Sequence, residues 1–213
     1  MGRRPEMEGR QLIIDAARSL FAHDGIGATS IRSVNRAAGL GPASVHYHFS
    51  TKDGLLDAVL HEHGDAVVDA IIERAEDLID AETVTGRDIV SMYAGPYIDL
   101  LATHGIEGLE WVMIVHRQMA TDRARVRSPK AHPYTDQAIA KAYPDADPDH
   151  VARARDTLLE ILIAHMAQLD DLPDTIEARR EYVAGEIDFL IGFLSGGLDA
   201  TLRQEGSTIP SGA

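Results

Sequence analysis

Apolar side chains recur along this chain every three to four residues, the spacing that gathers them on one face of an α-helix, and no stretch alternates as a half-buried strand would. The first stripe, Leu12, Ile13, Ala16, Leu20 and Phe21, predicts a helix from about Met7 to His23, stopped by Gly25. Two short patterns follow, and then Leu55, Leu56, Val59 and Leu60 mark a fourth helix opening at Ser50 or Thr51, where Ser50 and Asp53 approximate a capping box. Beyond His61 the periodic segments run approximately from Asp65 to Ala81, Asp88 to Thr103, Ile106 to Asp122, Tyr134 to Tyr143, Asp149 to Leu169 and Thr175 to Leu202. Turn-forming groups separate them at Thr85-Gly86, His104-Gly105, Ser128-Pro129, Pro144-Asp145-Ala146-Asp147-Pro148 and Asp171-Leu172-Pro173. The expected fold is all-α, without internal repeats, and residues 206–213 read as a disordered tail.

The two short patterns between Thr29 and Lys52 are the most informative part of the chain. Ile31, Val34 and Ala38 share one helical face, and Thr29 or Ser30 is placed to cap it. Gly39 takes a left-handed backbone without penalty, so the chain turns there and Leu40 drops into the angle between two helices. Pro42 stands where the next helix begins, and residues 43–49 fill about two turns with Val45 and Phe49 facing inward. What remains outward is small or hydrogen-bonding, which suits a helix lying in a major groove about 12 Å wide.

Thr29-Ser30, Ala37-Ala38-Gly39-Leu40, Tyr47-His48-Phe49 and Ser50-Thr51-Lys52-Asp53-Gly54-Leu55-Leu56 together resemble the DNA-binding domain of the tetracycline-repressor (TetR) family of one-component bacterial regulators. The resemblance is close over about the first sixty residues and rests on length and helical character beyond them. It implies an N-terminal helix-turn-helix domain over residues 1–52, a linking helix from about residue 51, and a helical ligand-binding and dimerisation domain over residues 53–205. A double-stranded DNA operator, a small-molecule effector and a second copy of the chain are the implied partners, with no cofactor and no membrane. Base-edge candidates are Arg32, Ser44 and Tyr47, flanked by Pro42 and Ala43, with Arg3 and Arg4 reaching the minor groove. Phosphate candidates are Ser30, His46, His48 and Lys52, the last in the first turn of its helix beside free amides. Two positions depart from the family pattern: His46 replaces the usual Tyr and Asn35 the usual Ala. A histidine needs a proton to make a charge-assisted bond to phosphate, so affinity is expected to rise as pH falls.

Charge agrees from an independent direction. Residues 1–52 hold seven Lys or Arg against four acids, a net of +3, whereas the remainder carries −17 within an overall charge of −14. Positive charge on one small face is not cancelled by a distant acidic body, because the field decays over about 8 Å at physiological salt. Cysteine is absent, so there is no disulfide framework, thiolate metal site or cysteine nucleophile, which suits a reducing cytosol. The opening residues Met1-Gly2-Arg3-Arg4-Pro5 lead into acids rather than an apolar run, and no segment approaches the roughly twenty apolar residues of a membrane span. The expected location is the cytoplasm.

The last two helices look like a dimer interface, with Val151, Ala154, Leu158, Ile161, Leu162, His165 and Leu169 on one and Val183, Ile187, Leu190, Ile191, Leu194 and Leu198 on the other. Gly185, Gly192, Gly196 and Gly197 recur along the second at roughly 1 kcal/mol each relative to Ala, which suggests a closely approaching helix. Two helices per protomer make a four-helix bundle. In the middle helices Met92, Tyr93, Tyr97, Trp111, Met113, Val115, His116 and Met119 are candidates for an apolar effector cavity with polar exits at Tyr93, His116 and Arg117. The pairs His46-x-His48 and His61-x-His63 have metal-ligand spacing, but residues two apart on a helix point to nearly opposite sides, so a hydrolase is disfavoured. A helical interaction protein without specific DNA binding is the other alternative.

Overall fold

The computed structural model describes residues 3–126 and 128–203, with side chains from Met7 onward. All regular structure among them is helical: α1 (Arg3–His23), α2 (Ile31–Ala37), α3 (Ser44–Phe49), α4 (Lys52–Asp80), α5 (Gly86–His104), α6 (Ile106–Thr121), α7 (Arg123–Val126), α8 (His132–Ala142), α9 (Pro148–Met166) and α10 (Ile176–Leu202), with a 3-10 turn at Pro129–Ala131 before α8. The fold is an N-terminal helix-turn-helix head followed by a helical bundle. The predicted tail at residues 206–213 lies outside the described residues.

In the head, α1 buries Ile13, Ile14, Ala17, Phe21 and Ala22 against α2, α3 and α4. Its stripe is rotated from the expected one: Leu12 is exposed, while Arg18 takes an inward position. Val34, Val45 and Phe49 complete this small core. Ser30, rather than Thr29, caps α2 through a reciprocal box with Ser33, while the Thr29 hydroxyl is buried and donates to the Gly25 carbonyl at 2.9 Å. Gly39 has φ +67°, the left-handed turn expected of it.

The fourth helix and the segment expected from Asp65 to Ala81 are continuous. One 29-residue helix, about 40 Å long, runs from Lys52 to Asp80 and passes from the head into the bundle. Leu60, His63, Val67, Ile71 and Ala75 continue its buried face without a phase shift, and Gly64 lies within the helix, where a Cβ would make ordinary van der Waals contact with the Trp111 ring at 3.5 Å. Its cap is Thr51, whose hydroxyl accepts from the Gly54 N–H at 3.0 Å. Ser50 instead ends α3 at φ 59°, which overturns the capping box expected of Ser50 and Asp53. In the bundle α10 lies along α5, α9 packs on α6 and α10, and α8 packs on α4.

Candidate functional site

Helices α2 and α3 present one polar outer surface. Ser30, Arg32, Arg36, Pro42, Ala43, His46 and Tyr47 are exposed, and Ser44 and Lys52 are half-buried at its edges. Arg32, Arg36, Pro42 and His46 line a shared hollow between the two helices. Tyr47 stands out with 72 % of its surface exposed, an unusual state for a large aromatic ring on a helix whose other apolar residues are buried. His48 is turned away from this surface: a Cβ on Gly9 of α1 would lie 3.6 Å from its Nε2, so it supports the α1–α3 contact. The metal-spaced pairs are likewise split. His46 Nδ1 meets the Ser50 carbonyl at 2.6 Å, exposed His61 meets the Asp57 carbonyl at 2.7 Å, and His63 is buried with its ring 4.5 Å from that of His104.

The start of α3 differs from the expectation. Pro42 and Ala43 form the preceding turn, the helix begins at Ser44, and Ala43 has no side chain with which to cap it. Asn35 does that work from α2. Buried between the helices, it accepts from the Val45 N–H through Oδ1 at 3.1 Å and donates from Nδ2 to the Pro42 carbonyl at 2.9 Å. Losing both would leave a buried amide hydrogen unsatisfied. A six-residue helix cannot hold itself together, so this side chain sets the pose of Tyr47 and His46.

Not all of the head's positive charge faces outward. Arg18 is 3 % exposed and lies between α1, α4 and α6, donating to Glu62 at 2.5 Å and approaching Asp15 at 3.2 Å, Glu110 at 3.4 Å and Glu107 at 3.8 Å. Burial opposes its charge, yet the hydrogen bond and charge of Glu62, with Asp15 and Glu107, more than offset that and hold its pKa above the ordinary value. Nearby, Arg117 of α6 donates to the Phe21 carbonyl of α1 at 2.8 Å, so it ties the head to the bundle rather than opening onto a cavity. These contacts escaped sequence reasoning because the expected stripe of α1 put Arg18 on its solvent side.

Residues 13–59 match the sequence model for bacterial regulatory proteins of the tetR family. This segment is a DNA-binding domain of the tetR-family type. Over 59 residues it is 37 % identical to the HTH-type transcriptional repressor KstR2 of Rhodococcus jostii (strain RHA1), a match spanning 28 % of this chain and about a quarter (26 %) of that protein. Over nearly the whole chain it shares the fold of SmeT, the repressor of the Stenotrophomonas maltophilia multidrug efflux pump SmeDEF, at TM-score 0.58 and 20 % identity, covering 95 % of this chain and 94 % of that one. It likewise shares the fold of the ketosteroid transcriptional regulator KstR2 of Mycobacterium tuberculosis, at TM-score 0.55 and 16 % identity, covering 92 % of this chain and 95 % of that one.

Behind the tetR-family head, α4, α5, α6, α8 and α9 enclose a cavity of about 300 Å³. Of the residues expected there, Tyr93, Tyr97, Trp111, Val115 and Met119 line it. Met92, Met113 and His116 do not: Met92 is buried elsewhere in the core, and Met113 and His116 lie outside the lining, because their phases on α5 and α6 differ from those of the lining residues. Sequence reasoning missed Thr135 and Arg155, which reach the cavity from helices remote in sequence. Two links run from its walls to α4. Trp111 Nε1 donates to the Leu60 carbonyl at 3.0 Å, and Arg125, at the cavity's edge, bridges Asp57 at 3.1 Å and Asp53 at 3.5 Å in the first turns of α4.

The apolar stripes assigned to dimerisation are turned inward. Leu158 and Leu162 of α9 are buried in the protomer's own core, and Val183, Ile187, Ile191, Leu194 and Leu198 of α10 are buried in the same core, where α10 lies along α5, which overturns their assignment to an interface. His165 is half-buried, and a buried Nε2 without a hydrogen-bond partner places its ring end in the interior. The glycines are different. Gly185, Gly192 and Gly196 lie on the opposite, exposed face with Phe189 and Phe193, which are 80 % and 65 % exposed and stacked at 19°. A Cβ at Gly185, Gly196 or Gly197 would meet nothing within 4 Å.

Proposed function

We propose that this protein is a homodimeric, ligand-responsive repressor of transcription that reads a two-fold symmetric DNA operator. The observation that carries the reading is the outer surface of α2 and α3, where exposed Tyr47 and Arg32 stand over a buried scaffold of Val34, Asn35, Val45 and Phe49. Arg32, Ser44 and Tyr47 are assigned to base edges, with Pro42 and Ala43 close to the groove. Ser30, His46 and Lys52 are assigned to phosphates. His48 is better assigned to support. The side chains of Arg3 and Arg4, expected in the minor groove, lie outside the described residues. The domain division at residue 52 is retained as part of this reading, with α4 as the shared element.

His46 acquires a specific role. A carbonyl oxygen only accepts, so the contact with Ser50 requires the proton of the neutral ring to sit on Nδ1, and Nε2 becomes a donor only when the ring takes up a second proton. Operator affinity is therefore expected to rise as pH is lowered, and His46→Tyr to flatten that rise. Fluorescence anisotropy of labelled operator across pH checks it.

The dimer surface is the exposed face of α10, with Ile161 of α9 at its side. Small residues between two aromatic rings let a second copy of the helix approach closely, and an exposed aromatic pair of this kind marks an association surface. Phe189→Glu together with Phe193→Glu is expected to weaken dimerisation by at least about 100-fold, since each buried Phe contributes roughly 1.5–3 kcal/mol. Sedimentation equilibrium reads this directly.

The switch follows from the cavity walls. An effector that displaces Trp111 or the Arg125 segment acts on α4 through Leu60, Asp53 and Asp57, and α4 begins at Lys52 beneath the reading head. A shift of α4 in both copies changes the separation of the two heads and so the fit to half-sites about 34–36 Å apart. Among the described residues no helix is long and apolar enough to cross a membrane. Mobility shifts and footprinting on the DNA flanking the chain's own coding region test the function. A protected segment with two-fold symmetry is expected, and retardation of all DNA alike would contradict it.

A further inference from the structure

The cavity has a directional chemistry. Its α4 and α6 walls are mainly apolar, through Leu60, Val67, Ile71 and Val115, with exposed His61 and Asp65 of α4 at its edge, while the polar residues Tyr93 and Thr135 stand on the opposite side. The Tyr93 hydroxyl is buried and has no hydrogen-bond partner, although it is a group whose desolvation is costly when unmet. Thr135 is the side chain within hydrogen-bonding reach of it, on the side of the phenol oxygen rather than its proton, and in this geometry the Thr135 hydroxyl donates instead, weakly, to the His132 carbonyl at 3.4 Å. Burial pushes the Tyr93 phenol far above its ordinary pKa, so it remains a protonated donor. The cations at the cavity are already matched. Arg155, itself 4 % exposed, pairs with Asp136 and, at 3.4 Å, with Asp156; Arg123 pairs with Glu160, and Arg125 with Asp53 and Asp57.

We infer that the effector is an uncharged, mainly apolar molecule of about ten non-hydrogen atoms whose single carbonyl-type oxygen accepts the Tyr93 hydroxyl. The size follows from 300 Å³ at roughly 30 Å³ per non-hydrogen atom. The missing charge follows from the matched ion pairs, since an anion brought beside Arg155 would meet Asp136 and Asp156 as well. The inference rests on the effector reading of this cavity and narrows its ligand to a medium-chain ketone, lactone or ester.

The test uses the full chain without DNA, 2-nonanone and nonanoate as probes, and the fluorescence of Trp111, which is the sole tryptophan and lines the cavity. Saturable binding of 2-nonanone is expected, with nonanoate at least tenfold weaker. Tyr93→Phe should weaken the ketone about 3- to 10-fold, one neutral hydrogen bond's worth, while its thermal midpoint stays equal to or above that of the parent because an unmet hydroxyl has gone. Tighter binding of nonanoate, unchanged ketone affinity in Tyr93→Phe, a lowered midpoint in that variant, or no saturable response to either probe would each overturn the inference. Because DNA takes no part, these failures leave the DNA-binding reading intact, and a failed mobility shift leaves the cavity chemistry intact.

Discussion

Replacing Tyr47 with alanine is expected to weaken operator binding by about 30- to 10⁴-fold while leaving affinity for unrelated DNA nearly unchanged. A base-edge contact contributes roughly 1–3 kcal/mol of discrimination, and a symmetric dimer loses it twice. The ring is exposed and projects from a helix anchored by Val45 and Phe49, so its removal costs the fold little. Lys52→Ala provides the contrast. A phosphate contact carries no sequence information, so its loss should lower affinity for all DNA alike and reduce the salt dependence by about one counterion per protomer. Titrations against operator and scrambled duplex at several salt concentrations separate the two, and an equal loss on both duplexes for Tyr47→Ala would remove that residue from base reading.

The second large effect is expected at Arg18. Arg18→Met keeps the length and apolar stem of the side chain but leaves Glu62 and Glu110 facing one another in a largely buried site. Breaking a buried ion pair from one side destabilises by about 3–5 kcal/mol, because the remaining charge keeps its desolvation cost without its partner. Asp15 and Glu107 are half exposed and relax into water, so the burden falls on the two inner carboxylates. Adding Glu110→Gln to Arg18→Met should therefore recover part of the loss. Urea unfolding of the parent, single and double variants measures this, and a loss below about 1 kcal/mol would show that the head and bundle are not joined through this cluster. The same cluster ties α1 to α4 and α6, so the single variant is also expected to loosen communication between cavity and head.

Much of the head was legible because its signals are local. Gly39 needs a left-handed backbone, Ser30 caps within its own turn, and the spacing of Val34, Val45 and Phe49 reports directly which way each short helix faces. The long helix α4 was read as two segments, ending near His61 and starting again at Asp65, because nothing local says that the stripe through Leu60 continues in phase to Val67 and Ile71, and the helices it packs against are distant in sequence. The cavity was half legible for the same reason. Periodicity placed Tyr93, Tyr97, Trp111 and Met119 on suitable faces, but Met92 and His116 differ from them by a fraction of a turn, and Thr135 and Arg155 arrive from other helices. The α10 face shows the limit most plainly. An apolar stripe does not say whether its partner belongs to the same chain, and here the stripe met α5 while the glycines and Phe189 and Phe193 were left outside.

The proposed function requires two copies of the α2–α3 surface to read base edges in a fixed relative pose. Enrichment of a randomised duplex library by the purified full chain, followed by sequencing, tests it most directly. An inverted repeat is expected whose half-site centres lie about one helical turn, or a small multiple of it, apart, and whose enrichment collapses for Tyr47→Ala. Recovery of no shared sequence, or of a motif without two-fold symmetry that survives loss of Tyr47, would contradict it.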